Sequence, residues 1–244
     1  MTYCVGLLLD RGIAFASDTR TNAGFDNIAT FPKLHVWEQS GDRVIVLLTA
    51  GNLAVTQAVV SQINEQIAQG ADGEVATILS VQTMFQAARL VGEAVREVRR
   101  MDGDALEANA ESFSASFILG GQIGAEAPRL FQVYAAGNFI EATKDTPFFQ
   151  IGEHKYGKPI LDRVARAEMR VGDAAKLILL SFDSTLRSNL SVGMPVDMLL
   201  YRKDTLKVTD RRRIEEDDDY FRKLSSAWSD ALRESFARIE SLPD

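Results

Sequence analysis

The five residues Val44-Ile45-Val46-Leu47-Leu48 are apolar without a polar residue at alternate positions. The run has the length of a strand, and Ser40-Gly41-Asp42 ahead of it is a turn signal. A strand apolar on both faces must be covered on both faces. Its sheet therefore lies inside a layered structure.

The elements around it are read from their periodicity. Residues 3–9 are apolar, Asp10-Arg11-Gly12 is a turn, and 13–17 return as a second strand of a hairpin. Residues 33–38 and 43–50 repeat that arrangement. Val55, Val59, Ile63 and Ile67 predict a helix over 53–69. Ala87, Val91, Val95 and Val98 predict another over 74–101, with Asp102-Gly103 as its stop. Strands follow around Phe113–117 and 131–135, separated by a turn region over 120–128. Helices are expected at 155–167 and 173–190, strands at 196–202 and 205–209, and a last helix at 217–241. Blocks of strands and helices favour antiparallel sheets with segregated helices over a βαβ chain. The expectation is an α+β fold: one domain over 1–244, with two face-to-face sheets and a helical layer on each side.

Several function classes fall away. The net charge of -7 argues against a nucleic-acid surface, which needs a basic face. No apolar run approaches the ~20 residues of a membrane span. One cysteine, Cys4, fits a reducing compartment, and the expected location is the cytoplasm. With two histidines, no paired-cysteine spacing and no glycine-rich phosphate loop, neither a metal nor a cofactor is expected.

What remains is the N-terminus. If Met1 is removed, Thr2 becomes the first residue. Its free amine, with a reference pKa near 8, suits the removal of a proton from its own Oγ. Such a nucleophile needs a buried cation and a carboxylate to hold it. Hairpin geometry sets the start of the first strand beside Asp18 at the end of the second, and Lys33 opens the third. Thr49-Ala50-Gly51-Asn52 ends the fourth strand ahead of a helix, where the Gly51 N–H could meet developing negative charge.

The segments Thr2-Tyr3-Cys4-Val5-Gly6, Ala16-Ser17-Asp18-Thr19-Arg20, Lys33 and Thr49-Ala50-Gly51 resemble the proteasome β-subunit family, and within it the bacterial Anbu group. The resemblance extends through Thr21-Asn22-Ala23-Gly24, Phe149-Gln150-Ile151-Gly152-Glu153, Lys155-Tyr156-Gly157-Lys158-Pro159-Ile160-Leu161-Asp162 and Ser188-Asn189-Leu190-Ser191-Val192-Gly193. It implies a four-layer αββα fold of the N-terminal-nucleophile hydrolase type and threonine-dependent cleavage of peptide bonds. Thr2 is then nucleophile and base, Lys33 lowers the hydroxyl pKa, Asp18 holds Lys33, and Gly51 donates to the oxyanion. Asn22 and Thr49 fall on the substrate side.

Three family positions that assist the amine fall on Asn138 (a serine in the family), Ser188 (an aspartate in the family) and Ser191 (a serine in both). The resemblance also implies a homo-oligomer, as a ring or open spiral, acting on peptides or unfolded proteins. Two alternatives stay open: a weakly active or non-proteolytic scaffold subunit, and an amide hydrolase of small substrates. Cys4, His35 and His154 read as packing or surface residues. Arg211-Arg212-Arg213 followed by five acids reads as a solvated turn entering the last helix.

Overall fold

The computed structural model describes residues 2–22, 28–70 and 75–242. Met1, whose removal the expected mechanism needs, lies outside them. So do Ala23 and Gly24 of one motif and Glu74 at the expected start of a helix.

Two five-stranded antiparallel sheets face each other. The first has the order β10-β1-β2-β11-β12, built from β1 (Tyr3–Leu9), β2 (Gly12–Asp18), β10 (Phe148–Gly152), β11 (Val196–Arg202) and β12 (Asp210–Ile214). The second has the order β5-β6-β7-β8-β9, from β5 (Leu34–Gln39), β6 (Arg43–Gly51), β7 (Ala115–Ile123), β8 (Arg129–Val133) and β9 (Phe139–Glu141). A short pair, β3 (Arg20–Asn22) with β4 (Ile28–Thr30), stands beside them.

Three packed clusters make the layers. Helices α1 (Leu53–Gln69) and α2 (Met84–Ala108) cover the second sheet through Val59, Ile63, Val91 and Val95. Helices α3 (Lys158–Val164) and α4 (Val171–Ser188) cover the first through Leu161, Ile178 and Phe182. Between the sheets lie Cys4, Phe15, Val46, Leu48, Ile118 and Ile151. β6 shows why the opening run is apolar throughout: Ile45 and Leu47 face the helices, whereas Val44, Val46 and Leu48 face the opposing sheet. Each such burial contributes roughly 1.5–3 kcal/mol. The αββα expectation is met.

The differences from the sequence reading have local causes. α2 starts at Met84, where the Thr83 side chain caps the Gln86 N–H, and it continues through Asp102-Gly103 to Ala108. A single helical glycine costs only ~1 kcal/mol, too little to end a long packed helix. β7 runs through Gly120-Gly121 to Ile123, where a turn was expected. Gly120 is bare because a Cβ there would come within 2.8 Å of both Leu130 and Phe15, so the glycine permits the sheets to meet. Residues 205–209 are not a strand. Asp204 and Leu206 have positive φ, and the strand is Asp210–Ile214, taking in the three arginines expected in a turn. That strand is an edge, where charged residues are tolerated and discourage further pairing. β3, β4, β9 and β10 were not expected at all.

The last helix, α5 (Asp219–Arg238), buries Phe221 against the first sheet's helical layer and then leaves it. Leu232 and Phe236 on its far half, and Ile239 just past its end, are exposed. Among the described residues no helix is long and apolar enough to cross a membrane.

Candidate active site

The site sits at one end of the sandwich, where β1 starts, β2 ends and β6 ends. In the β1–β2 register Cys4 faces Ser17, so the next pair brings Tyr3 beside Asp18. The Tyr3 N–H donates to Asp18 Oδ1 at 3.0 Å. Lys33 lies one residue ahead of β5, fixed by the Thr49 N–H to its carbonyl at 3.0 Å. Its Nζ donates to Asp18 Oδ1 at 2.8 Å and to the Arg20 carbonyl at 2.6 Å. An ammonium carries three donors, and among the described residues these are the two it uses. Both members of the ion pair are buried. Burial is the largest influence on Asp18 and pushes its carboxyl upward, opposed by the Lys33 charge and its hydrogen bond.

Thr2, Lys33, Thr49 and Gly51 line one cavity of about 430 Å³, with Thr21, Ala50, Asn52, Leu53, Thr56 and Glu111 completing the wall. Ladder alternation decides where Gly51 points. The Asn52 N–H donates to the carbonyl of Ser114, just ahead of β7, and the Thr49 N–H turns the other way to Lys33. Gly51, in phase with Thr49, directs its N–H to the β5 side, beyond the last rung of that ladder. Its φ of +119° and the backbone of Ser114, 2.3 Å from where a Cβ would sit, require glycine. The α1 N-terminus follows at once, its Ala54 and Val55 N–H groups capped by Asn52 Oδ1.

Thr2 is itself held. Its carbonyl accepts the Glu153 N–H at 2.6 Å, and Gly152, at φ +80°, leaves no room there for a side chain. A Cβ at position 152 would stand 1.9 Å from that carbonyl oxygen. Gly152→Ala is therefore expected to displace Thr2, lowering reactivity at its hydroxyl at least tenfold, while costing about 1–3 kcal/mol in stability. Labelling rate with a threonine-directed inhibitor and a thermal melt of the same sample check both.

The remaining candidates are placed differently. Asn22 closes β3, and its side chain lies outside what the structure describes. Ser188 is the last residue of α4, exposed and outside the cavity wall. Ser191 lies in the loop to β11, its N–H held by Asn189 Oδ1 at 2.9 Å. That loop packs on the end of β2 through Thr19 Oγ1, which donates to the Pro195 carbonyl at 2.7 Å. Asn138 follows the turn glycine of the β8–β9 hairpin, and the carbonyl of that Gly137 accepts from Arg96 on α2. Asn138 too is outside the cavity wall. Cys4 is buried, its thiol pushed up by burial and donating to the Thr49 carbonyl at 3.5 Å.

Sequence reasoning gave no role to Glu153 or Glu111. Glu153 stood inside a quoted motif, but only the β1–β10 pairing, in which Tyr3 meets Gly152, sets it beside Thr2. Glu111 had no local signal.

The proteasome subunit family model matches residues 2–199. No curated protein sequence matches the chain. Among solved structures, the Gly-1 mutant of Anbu from Hyphomicrobium sp. strain MC1 is 61% identical over 100% of both chains, with a TM-score of 0.93. Anbu (ancestral beta-subunit) from Yersinia bercovieri is 47% identical over 99% of both chains, TM-score 0.92. Anbu from Pseudomonas aeruginosa, described as a helical assembly of the Anbu complex, is 46% identical over 99% of this chain and 98% of that one, TM-score 0.93. With residues 2–199 matched by the family model and nearly the whole chain aligned at these identities, the chain belongs to the proteasome subunit family, in its Anbu group.

Proposed function

We propose that this subunit hydrolyses peptide bonds through Thr2, made N-terminal by loss of Met1. The supporting observation is the convergence of Thr2, Lys33 and Gly51 on one cavity, with Lys33 fixed by Asp18 and, among the described residues, left one free donor. The Thr2 amine takes the Oγ proton as Oγ bonds to the scissile carbonyl carbon. The Lys33 ammonium stabilises the developing alkoxide, and the Gly51 N–H receives charge on the carbonyl oxygen. The amine then returns the proton to the leaving nitrogen as the C–N bond breaks. Water, activated by the same amine, hydrolyses the ester and restores Thr2.

Substrate lies along the cavity, with Thr49 at the first side-chain pocket and β3, including Asn22, alongside. No cofactor enters the scheme. Subunits assemble with one another, as the Pseudomonas aeruginosa relative does in its helical assembly, and the exposed far half of α5 is available for that contact. The cytoplasm is the proposed location.

A second reading has its own observation. Ser188 and Asn138, at positions where the wider family assists the amine, stand outside the cavity wall, which favours a slow enzyme or a non-proteolytic scaffold. One sample separates the two readings. Intact mass reports loss of Met1, and a β-lactone that acylates N-terminal threonine reports the nucleophile. An adduct on Thr2 supports the enzyme; Met1 retention or no adduct leaves the scaffold.

A further inference from the structure

Glu153, which directly follows β10, is only 6% exposed. Both donors to its carboxylate are neutral. Asn189 Nδ2 reaches Oε2 at 2.9 Å, and the Lys155 N–H reaches Oε1 at 3.4 Å. Among the described residues it has no ion-pair partner, although buried carboxylates are normally paired with a cation. The cluster is short of one positive charge.

The register shows where that charge arises. β1 and β10 pair as Tyr3 with Gly152, which carried one step outward sets Thr2 opposite Glu153. The Glu153 N–H to Thr2 carbonyl bond at 2.6 Å realises that pair. In an antiparallel ladder the N–H and C=O of one residue face the same neighbour. Tyr3 turns its N–H the other way, to Asp18. The Thr2 nitrogen therefore lies on the Glu153 edge, and once Met1 is gone it is an amine that can carry the missing charge.

We propose that Glu153, clamped by Asn189, is the counter-charge and positioning residue of the Thr2 α-amine in the processed chain. This rests on the N-terminal threonine reading and names the group that tunes its base. When Oγ gives its proton to the amine, the resulting ammonium is stabilised by the Glu153 carboxylate. The proton then leaves with the product amine. Asn189 performs three tasks at once. Its Nδ2 holds Glu153, its Oδ1 holds the Ser191 N–H, and its own N–H ends α4 on the Thr185 carbonyl. The α4–β11 loop thereby supports the amine although Ser188 itself faces solvent.

Other charges surround this end of the sandwich. Asp18 on β2 and Lys33 ahead of β5 neutralise each other. His154 and Lys155 follow Glu153, with the exposed His154 ring against the Gly152 carbonyl. Arg20 on β3 donates to the Leu190 carbonyl, and Asp183 with Arg187 forms a pair one turn back on α4. Glu111 faces the cavity from the loop before β7.

The test uses the full chain released from an N-terminal tag by cleavage of the bond before Thr2, so that it does not depend on natural processing. The α-amine is titrated by pH-dependent acetylation with limiting acetic anhydride, read from the mass of the N-terminal peptide. Glu153→Gln is expected to lower the apparent pKa of the amine by about 1–2 units, because a nearby carboxylate favours the ammonium. Asn189→Ala is expected to shift it less in the same direction. Glu153→Asp is expected to retain most of the wild-type value, and Glu111→Gln to leave it unchanged. Identical titration of wild type and Glu153→Gln overturns the proposal, as does an equal shift from Glu111→Gln. β-Lactone labelling of the same samples reports separately on the parent reading. Its failure would refute the nucleophile, while the titration still decides the role of Glu153.

Discussion

Thr2→Ala is expected to remove all β-lactone labelling and to reduce any measured peptide hydrolysis by roughly 10³- to 10⁶-fold, the range seen when a sole nucleophile is deleted. The substitution takes away the Oγ and leaves the amine, so no neighbouring group can replace it. Cys4 is two residues inward, on the face between the sheets, with a thiol that burial keeps protonated. Ser17 Oγ is buried with no hydrogen-bond partner among the described residues, and its backbone pairs with Cys4 inside the sheet. Folding should be nearly unaffected, because the Thr2 carbonyl clamp to Glu153 is made by the backbone. Thr2→Ser keeps the hydroxyl and is expected to retain labelling at a reduced rate, since loss of the methyl frees the χ1 rotor. Equal labelling of wild type and Thr2→Ala would refute the proposal.

Asp18→Leu is expected to cost about 3–5 kcal/mol, because it strands the Lys33 ammonium in a buried site. For a chain of this size that corresponds to a fall in Tm of roughly 6–20 °C. Lys33→Met is expected to be milder and to depend on pH. With its cation gone, the Asp18 carboxyl, already pushed up by burial, takes a proton more readily in the folded state than in the unfolded one. The folded state then binds more protons, so stability falls as pH rises above the ordinary carboxylate value of 3.8. The Lys33→Met deficit should therefore shrink on acidification from neutrality. The double substitution, which removes both charges, should melt close to wild type. All three variants are expected to lose threonine labelling by at least 10²-fold, and the double variant does so in a stably folded protein. Denaturation at two pH values, paired with labelling rates, separates the fold cost from the chemical one.

Much of this was legible in the sequence, and for identifiable reasons. The apolar run of β6 gave the internal sheet, and steps of four along α1 gave its cover. The hairpin signal at Asp10-Arg11-Gly12 set Asp18 beside the chain start. Lys33 and Gly51 were legible because both lie at strand ends in the opening hairpins of the chain. The rest depended on distant partners. β10 holds its place by pairing with β1, and nothing local distinguishes its five residues from a loop. β12 is charge-rich because it is an edge, so hydrophobic periodicity passes over it. Ser188 was read by its motif position, but a motif does not report that the side chain ending α4 faces water. Glu153 was quoted and left without a role, since its meaning comes from the ladder that sets it across from Thr2.

That ladder has a consequence for when the chain becomes reactive. Thr2 is synthesised well before the strand that grips it, with Gln150 bonded to the Tyr3 hydroxyl across a separation of 147 residues. Asn189 comes later still. An N-terminal fragment can contain Thr2, Lys33 and Gly51 and still lack Glu153 and Asn189. On the proposed mechanism, arming the threonine is thus one of the last acts of folding, and a half-made chain carries its hydroxyl without the means to use it.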